Sequence, residues 1–162
     1  MSIKEDLIKK LKDKNATIAI LGLGYVGLPL AVVFGEAGFH VTGVDPDLRK
    51  VDSLKKGESY IPDVKSEAVA KLVKSGHFTA TNDFAILKEM DAVSICVPTP
   101  LRQTGDPDMS FIISATEELG KYMHKGMAVS YTHLRAHETV LDLVCRLLLE
   151  KKKKKTRVRQ TA

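Results

Sequence analysis

The feature that most constrains the fold is a glycine-rich turn between apolar segments near the amino terminus. Residues 17–21 form a short apolar run, residues 22–27 read G-L-G-Y-V-G, and an apolar, helix-like segment follows. A second apolar run, residues 40–44, ends at Asp45. A lone G-x-G-x-x-G is weak evidence. Between a strand and a helix, with an acidic residue about 20 positions further on, it is the dinucleotide-binding fingerprint.

Each part of this motif has a mechanical reason. Gly22 allows a sharp turn out of the first strand, Gly24 lets the backbone approach a pyrophosphate, and Gly27 lets the helix pack closely on the strand. A helix that begins near Tyr25 directs unpaired N–H groups at the phosphates. Asp45 is expected to bind the adenosine ribose and to repel a 2′-phosphate, which favours NAD over NADP. The alternative is a glycine-rich turn that binds nothing.

Strands and helices alternate along the chain, which predicts an α/β fold: a Rossmann-like, doubly wound parallel sheet, truncated near strand five. The predicted strands are residues 17–21, 40–44, 78–81, 92–97 and a fifth starting at 127–128. The predicted helices are residues 4–12, 25–37, 47–56, 64–75, 82/83–90 and 109–123. Ligands bind outside the carboxyl ends of the strands in such sheets. Residues 22–27, Asp45 and residues 97–101 should therefore surround one crevice.

The segment from Val129 onward resembles a transposase-type sequencing adapter translated in frame. Residues 129–139 and 142–150 follow the adapter codon by codon, and a poly-A run accounts for the five lysines of residues 151–155. Residues 156–162 have no such explanation. We therefore expect an N-terminal helical extension at 1–15, an NAD-binding Rossmann domain at 16–128, and a non-native tail at 129–162.

Composition is interpreted without this tail. The whole chain has 25 basic and 20 acidic residues, and the tail carries nine of the basic and three of the acidic ones. The remainder is close to neutral, which argues against a nucleic-acid partner. No apolar run approaches the roughly 20 residues needed to cross a bilayer, and Cys96 is then the single cysteine, so we expect a protein of the reducing cytoplasm. His40, His77 and His124 lack metal-ligand spacing, so no metal is expected.

Motifs beyond the glycines occur in order along the chain: residues 22–30 (GLGYVGLPL), 44–51 (VDPDLRKV), 97–101 (VPTPL) and 106–112 (DPDMSFI). Over residues 16–128 the chain resembles the N-terminal NAD-binding domain of the UDP-glucose/GDP-mannose dehydrogenase family. The VPTPL and PDMS motifs look most like the branch that oxidises UDP-N-acetylhexosamines, and UDP-glucose oxidation is the alternative.

The resemblance implies oxidation of a sugar C6 alcohol to a carboxylate with two NAD, through a thiohemiacetal on a cysteine, for surface polysaccharide biosynthesis. The resemblance assigns the pyrophosphate to the residues of the glycine-rich turn, which are Gly22, Gly24, Tyr25, Val26 and Gly27. It assigns the adenosine ribose to Asp45 and Lys50. It assigns the nicotinamide side to Val97, Thr99 and Pro100. For Lys50 an ordinary solvated lysine is an equal alternative, and Thr99 could be a rigid loop residue.

The family's catalytic cysteine region has no counterpart in this chain, so no catalytic residue is assigned and the chain is expected to be inactive alone. Cys96, inside an apolar strand, is expected to be a small core residue. The partners implied are a UDP-sugar substrate and a second copy of the chain in the full-length enzyme, without nucleic acid or membrane. A non-catalytic NAD-sensing module, or a nucleic-acid binder if the basic tail is native, are the other classes.

Overall fold

The computed structural model describes residues 2–101 and 107–131. Its centre is a five-stranded, fully parallel sheet with the strand order β3-β2-β1-β4-β5. The strands are β1 Thr17–Leu21, β2 His40–Val44, β3 Phe78–Thr81, β4 Ala92–Ile95 and β5 Ala128–Ser130. The helices are α1 Ile3–Lys12, α2 Gly27–Glu36, α3 Leu48–Lys55, α4 Ser66–Ser75 and α5 Ser110–Tyr122, with a 3₁₀ helix at Phe84–Glu89. The predicted Rossmann-like α/β fold is confirmed.

The central strand β1 is buried on both faces of the sheet because helices cover both sides. Ile18 and Ile20 belong to one apolar cluster, which includes residues of α2, α3 and α4. Ala19 and Leu21 belong to a second cluster, which includes residues of α5. Successive side chains of a strand point to opposite faces, so a continuous apolar run serves both clusters.

Three differences from the predicted elements have local causes. The first turn of α2 begins at Gly27 rather than Tyr25, because the preceding residues form the loop over the strand ends. Strand β4 ends at Ile95 instead of Val97. The Cys96 amide still donates to the Leu21 carbonyl at 2.7 Å, but Pro98 and Pro100 have no amide hydrogen with which to continue the pairing. The segment before β4 is a short 3₁₀ helix, started by the Asp83 side chain on the Ala85 amide.

The N-terminal helix α1 lies at the amino ends of the strands, opposite the glycine-rich turn. Ser2 and Glu5 form a capping box at its start, and Lys10 reaches Asp91 at 2.7 Å. Asp91 also accepts the Thr17 amide, which joins α1 to β1 and β4. A cleft of about 390 Å³ lies beneath this helix. Within residues 1–15, where a helical extension is predicted, the helix spans Ile3–Lys12; the boundary of the extension stays a prediction.

At the other end of the described chain, β5 pairs with β4 from Ala128 to Ser130. The strand thus includes the first two residues of the predicted tail, Val129 and Ser130, and residues 132–162 lie outside the described part of the structure. Within residues 2–101 and 107–131, no helix has the length and apolar character that a membrane span requires.

Candidate cofactor-binding site

The strand order creates a crevice at the carboxyl ends of β1 and β4. From β1 the chain continues into α2, and from β4 it continues toward α5, on opposite faces of the sheet. Gly22 lies in this crevice with φ of +90°, and a Cβ added there would be 2.8 Å from the Cys96 carbonyl oxygen and 3.1 Å from the Val97 Cα. The turn after β1 and the segment after β4 are therefore in direct backbone contact, and that contact requires a glycine.

The other two glycines of the motif differ in what surrounds them. A Cβ added to Gly27 would be 1.7 Å from the Gly22 carbonyl oxygen, so helix α2 starts against the backbone of the turn. A Cβ added to Gly24 would have nothing within 4 Å. Gly27 is thus required by the protein's own packing, whereas the space beside Gly24 is open. The close packing predicted at Gly27 is present, and the approach of a pyrophosphate at Gly24 stays a prediction.

The loop offers backbone amides to an anion. Among the hydrogen bonds of the described residues, none has the amide of Gly24, Tyr25 or Val26 as its donor. No side chain caps the start of α2, and the Tyr25 side chain is 73% exposed. Unpaired N–H groups at the positive end of a helix form a phosphate site. The predicted pyrophosphate loop therefore fits the group that it is expected to hold.

Asp45 follows β2 and holds the glycine-rich loop through its carboxylate. Its residue surface is 4% exposed. One carboxylate oxygen, Oδ2, accepts the Leu23 amide at 2.9 Å and the Lys50 ammonium at 3.1 Å. The other, Oδ1, accepts the Asp47 amide at 3.0 Å. A carboxylate has about four acceptor positions, so one remains on Oδ1 for a hydroxyl donor.

Lys50 is therefore not an ordinary solvated lysine. Its ammonium covers the Asp45 carboxylate, and its side chain is 35% exposed. The ammonium therefore lies beside the carboxylate, 3.1 Å from Oδ2, at the carboxyl end of β2. Arg49, next in the helix, is turned away to Asp47, where it lowers the pKa of that carboxyl. Of the two basic residues here, only Lys50 faces the site.

Val97, Thr99 and Pro100 follow β4 at the same edge of the sheet. Val97 touches Gly22, as the added-Cβ contact shows, whereas Thr99 and Pro100 are exposed on the loop beyond it. The Pro100 carbonyl accepts the Asp108 amide at 2.7 Å, and Leu101 bridges to Pro107. The structure thus joins Val97 to the glycine-rich loop, while Thr99 and Pro100 share its edge of the sheet.

Sequence reasoning missed two residues, Gly43 and Tyr60, that shape the loop through Leu23. The Leu23 side chain is fully buried over Gly43, where an added Cβ would be 2.6 Å from Leu23 Cδ2. The Tyr60 hydroxyl donates to the Leu23 carbonyl at 2.6 Å. Burial, followed by the charges of Asp45 and Asp47, raises the pKa of Tyr60. A glycine inside a strand signals close approach of another group, so Gly43 was detectable from the sequence, whereas Tyr60 carries no such local signal.

The other residues considered from the sequence lie away from this chemistry. Cys96 is 4% exposed, and burial raises the pKa of its thiol, so it is a core residue as expected. His40 and His77 stack with ring centroids 5.1 Å apart, and each Nδ1 lies near a backbone carbonyl oxygen. In the part of the chain that the structure describes, no three His, Cys, Asp or Glu residues cluster to hold a metal.

A parallel sheet with this strand order, a G-x-G-x-x-G turn with unpaired amides and an acidic residue ending β2 define a Rossmann-type dinucleotide-binding domain. The family model for the NAD binding domain of the UDP-glucose/GDP-mannose dehydrogenase family matches residues 16–161. The chain therefore belongs to the UDP-glucose/GDP-mannose dehydrogenase family, as its NAD-binding domain. The resemblance stated from the sequence motifs is confirmed at the level of the family, and NAD is the cofactor.

Individual relatives agree with the family. The chain is 36% identical over 114 residues to UDP-N-acetyl-D-mannosamine dehydrogenase of Escherichia coli K12, an alignment that covers 70% of this chain and 27% of that protein. It is 36% identical over 115 residues to UDP-N-acetyl-D-glucosamine 6-dehydrogenase of Salmonella typhi, covering 70% and 26%. The crystal structure of NDP-N-acetyl-D-galactosaminuronic acid dehydrogenase from Methanosarcina mazei matches with a TM-score of 0.68 at 36% identity, covering 80% and 29%.

These alignments have a common limit. The chain spans only about a quarter of the length of the curated relatives that it matches. The match therefore covers the cofactor-binding part of such enzymes and not the remainder of their length.

Proposed function

We propose that this chain is the NAD-binding part of a UDP-sugar 6-dehydrogenase that acts on a UDP-N-acetylhexosamine and uses two NAD for each sugar. The observation that carries the proposal is the glycine-rich loop with its unpaired amides. Asp45 holds this loop through the Leu23 amide, and Gly22 of the loop is packed against Val97. The names of the relatives, N-acetylmannosamine and N-acetylglucosamine dehydrogenases, support the substrate class. The reaction would turn the C6 alcohol into a uronate for surface polysaccharide biosynthesis.

In this proposal the chain's residues bind and orient the cofactor. The amides of Gly24, Tyr25 and Val26 receive the pyrophosphate, while the carboxylate of Asp45 takes a ribose hydroxyl beside Lys50. NAD, when bound, accepts the hydride from the sugar. Asp45 also discriminates against a 2′-phosphate, because its buried negative charge would face that group.

Val97, Thr99 and Pro100 would border the nicotinamide half of the cofactor. They follow β4, on the far side of Gly22 from Asp45, which is where the second half of a dinucleotide lies when its pyrophosphate crosses the switch point of the sheet. The contact of Val97 with Gly22 supports its position. For Thr99 and Pro100 the support is their place on the same loop and the family resemblance.

The chain as written is proposed to have no dehydrogenase activity by itself. Cys96 cannot serve as the nucleophile, because its thiol is buried and burial raises its pKa, so little thiolate forms. The thiol and the sugar site would come from the rest of the full-length enzyme, which we propose to be a cytoplasmic homo-oligomer. Reduction of NAD by the 162-residue chain with a UDP-sugar, followed at 340 nm, would contradict this.

We also propose that the sequence from Val129 is non-native adapter sequence. The codon-level correspondence supports this, whereas the family match extends to residue 161 and β5 extends to Ser130. Sequencing the source gene past the Ala128 codon with different library chemistry tests it. The reading frame should continue into the remainder of a dehydrogenase; recovery of the codons for residues 129–162 from the genome would refute it.

The recovered full-length enzyme then tests the substrate. We expect two NADH for each UDP-N-acetylglucosamine or UDP-N-acetylmannosamine consumed, and little with UDP-glucose. A preference for UDP-glucose would favour the alternative branch. A genuine stop codon soon after Ala128, together with NAD binding, would favour the second candidate, a non-catalytic NAD-sensing module. The unpaired loop amides favour that candidate equally, since they report binding rather than catalysis.

A further inference from the structure

We propose that Tyr60 is a positioning residue for NAD: its hydroxyl fixes the peptide between Leu23 and Gly24 so that the Gly24 amide faces the pyrophosphate. Tyr60 lies in the loop between α3 and α4, outside the G-x-G-x-x-G motif and 37 residues from Leu23. The inference rests on NAD binding at this loop and adds a residue that neither the motif nor the family description assigns.

The planar geometry of the peptide bond couples the direction of the Leu23 carbonyl to that of the Gly24 amide. The Leu23 carbonyl and the Gly24 N–H belong to one planar trans peptide group, so they point in opposite directions; the chain has no cis peptide bond among its described residues. The Tyr60 hydroxyl holds the carbonyl at 2.6 Å. Holding the carbonyl on one side therefore directs the Gly24 N–H to the other side. The opposite orientation of this peptide would present a carbonyl oxygen to a phosphate and repel it.

The other contacts of Leu23 show why the hydroxyl is needed. The Leu23 amide is held by Asp45 at 2.9 Å, and its side chain is packed over Gly43. These contacts come from β2 and from the residue that follows it, and they fix Leu23 up to its Cα. The carbonyl lies beyond the Cα, and rotation about ψ of Leu23 and φ of Gly24 would still turn the next peptide. Glycine permits more backbone conformations than any other residue, so Tyr60 supplies the contact that selects one of them.

Tyr60 is itself held by its own loop. Ser59 donates its amide to the Ser66 hydroxyl at 3.0 Å, which fastens the loop to the start of α4. The Ser59 hydroxyl contacts the amide and carbonyl of Ile61, and Ile61 is buried with 5% exposure. The half-buried ring of Tyr60 packs against the apolar cluster beneath α2. The hydroxyl therefore reaches Leu23 from a fixed position, and its raised pKa keeps it a neutral donor.

The test compares Tyr60→Phe with a matched loss of a hydroxyl elsewhere, Tyr122→Phe at the end of α5, in the 162-residue chain. Isothermal titration calorimetry gives the affinities for NAD and ADP-ribose, which both contain the pyrophosphate. An NMR titration gives the affinity for adenosine, which has no pyrophosphate. For Tyr60→Phe we expect NAD and ADP-ribose to bind about three- to tenfold more weakly, the effect of one net hydrogen bond. Adenosine affinity should not change, and Tyr122→Phe should bind all three ligands as the parent does.

The outcomes separate this inference from the binding role on which it rests. If the parent chain does not bind NAD, the binding role fails. If the parent binds NAD and Tyr60→Phe binds it equally well, or loses adenosine affinity to the same extent, the positioning role is overturned. The parent provides a second measurement that does not depend on the variant folding. The backbone order parameter of Gly24 without ligand should be about 0.85, as in rigid backbone, and a value below about 0.6 would overturn the inference.

Discussion

Replacing Gly27 with alanine tests how closely the glycine-rich turn is packed. The added Cβ would be 1.7 Å from the Gly22 carbonyl oxygen and 3.2 Å from a methyl group of Ile20. The blocking atom belongs to the backbone, so no side-chain rotation relieves the clash, and α2 or the turn must move by more than an ångström. Overpacking of this kind costs about 3 kcal/mol. Alanine has a higher helix propensity than glycine, which offsets up to roughly 1 kcal/mol of that cost. We expect a net loss of about 2–3 kcal/mol from a domain whose total stability is of the order of 5–15 kcal/mol.

Urea denaturation followed by far-UV circular dichroism measures this loss, since the chain has no tryptophan. Gly24→Ala is the matched control, because its Cβ would meet nothing within 4 Å and its φ is not positive. Gly24→Ala should keep its unfolding free energy within about 0.5 kcal/mol, yet bind NAD more weakly because the Cβ enters the pyrophosphate space. A Gly27→Ala variant as stable as the parent, or a Gly24→Ala variant that unfolds as easily as Gly27→Ala, would refute the assignment of these roles.

Three further predictions follow from buried or paired groups. Asp45→Asn should lose about 2 kcal/mol of unfolding free energy in urea and should not gain NADP binding in a titration, because the carboxylate accepts the Leu23 amide in addition to its proposed contact with the ribose. Unchanged stability with new NADP binding would contradict this. Burial acts to raise the pKa of Asp91, but hydrogen bonds from Lys10 and Thr17 lower it by more, so the folded pKa lies below the ordinary value. The contribution of Asp91 to stability is therefore present above a pH of about 4 and is lost as the pH falls through the folded pKa. Asp91→Asn should therefore show a shallower loss of stability with acid than the parent in urea titrations between pH 3 and 6, and identical slopes would count against the pairing. Cys96 should remain unmodified by iodoacetamide until urea unfolds the chain, and peptide mass mapping distinguishes it from Cys145; rapid alkylation of Cys96 itself in the folded chain would contradict its burial.

The fold was predictable because its signals are local. Strands β1, β2 and β3 have the bounds predicted from their apolar runs, and Gly38, Gly57 and Gly76 follow helices with positive φ, as a glycine after a helix indicates. Strand β4 was predicted two residues too long, because an apolar run does not show where a neighbouring strand stops pairing. The 3₁₀ helix at Phe84–Glu89 was predicted as an ordinary helix, because capping residues alone do not distinguish the two.

The site was predictable only in part, for a related reason. The motif identifies the residues that touch a dinucleotide, since their spacing along the chain reflects the turn itself. It does not identify what holds the turn, because Tyr60 reaches Leu23 through a contact between distant segments. Lys50 shows the same limit: a lysine on a short helix gives no sign of its partner, and only the structure places it on Asp45.

The central claim is that NAD binds across the carboxyl ends of β1, β2 and β4 of this chain. The most direct test is an NMR titration of the ¹⁵N-labelled chain with NAD, following every backbone amide. The account predicts shifts that saturate together at residues 22–27, at residues 45–50 and after β4, with the largest at Gly24, Tyr25 and Val26. No saturable shifts, or shifts confined to the cleft beneath α1 at the opposite ends of the strands, would contradict it.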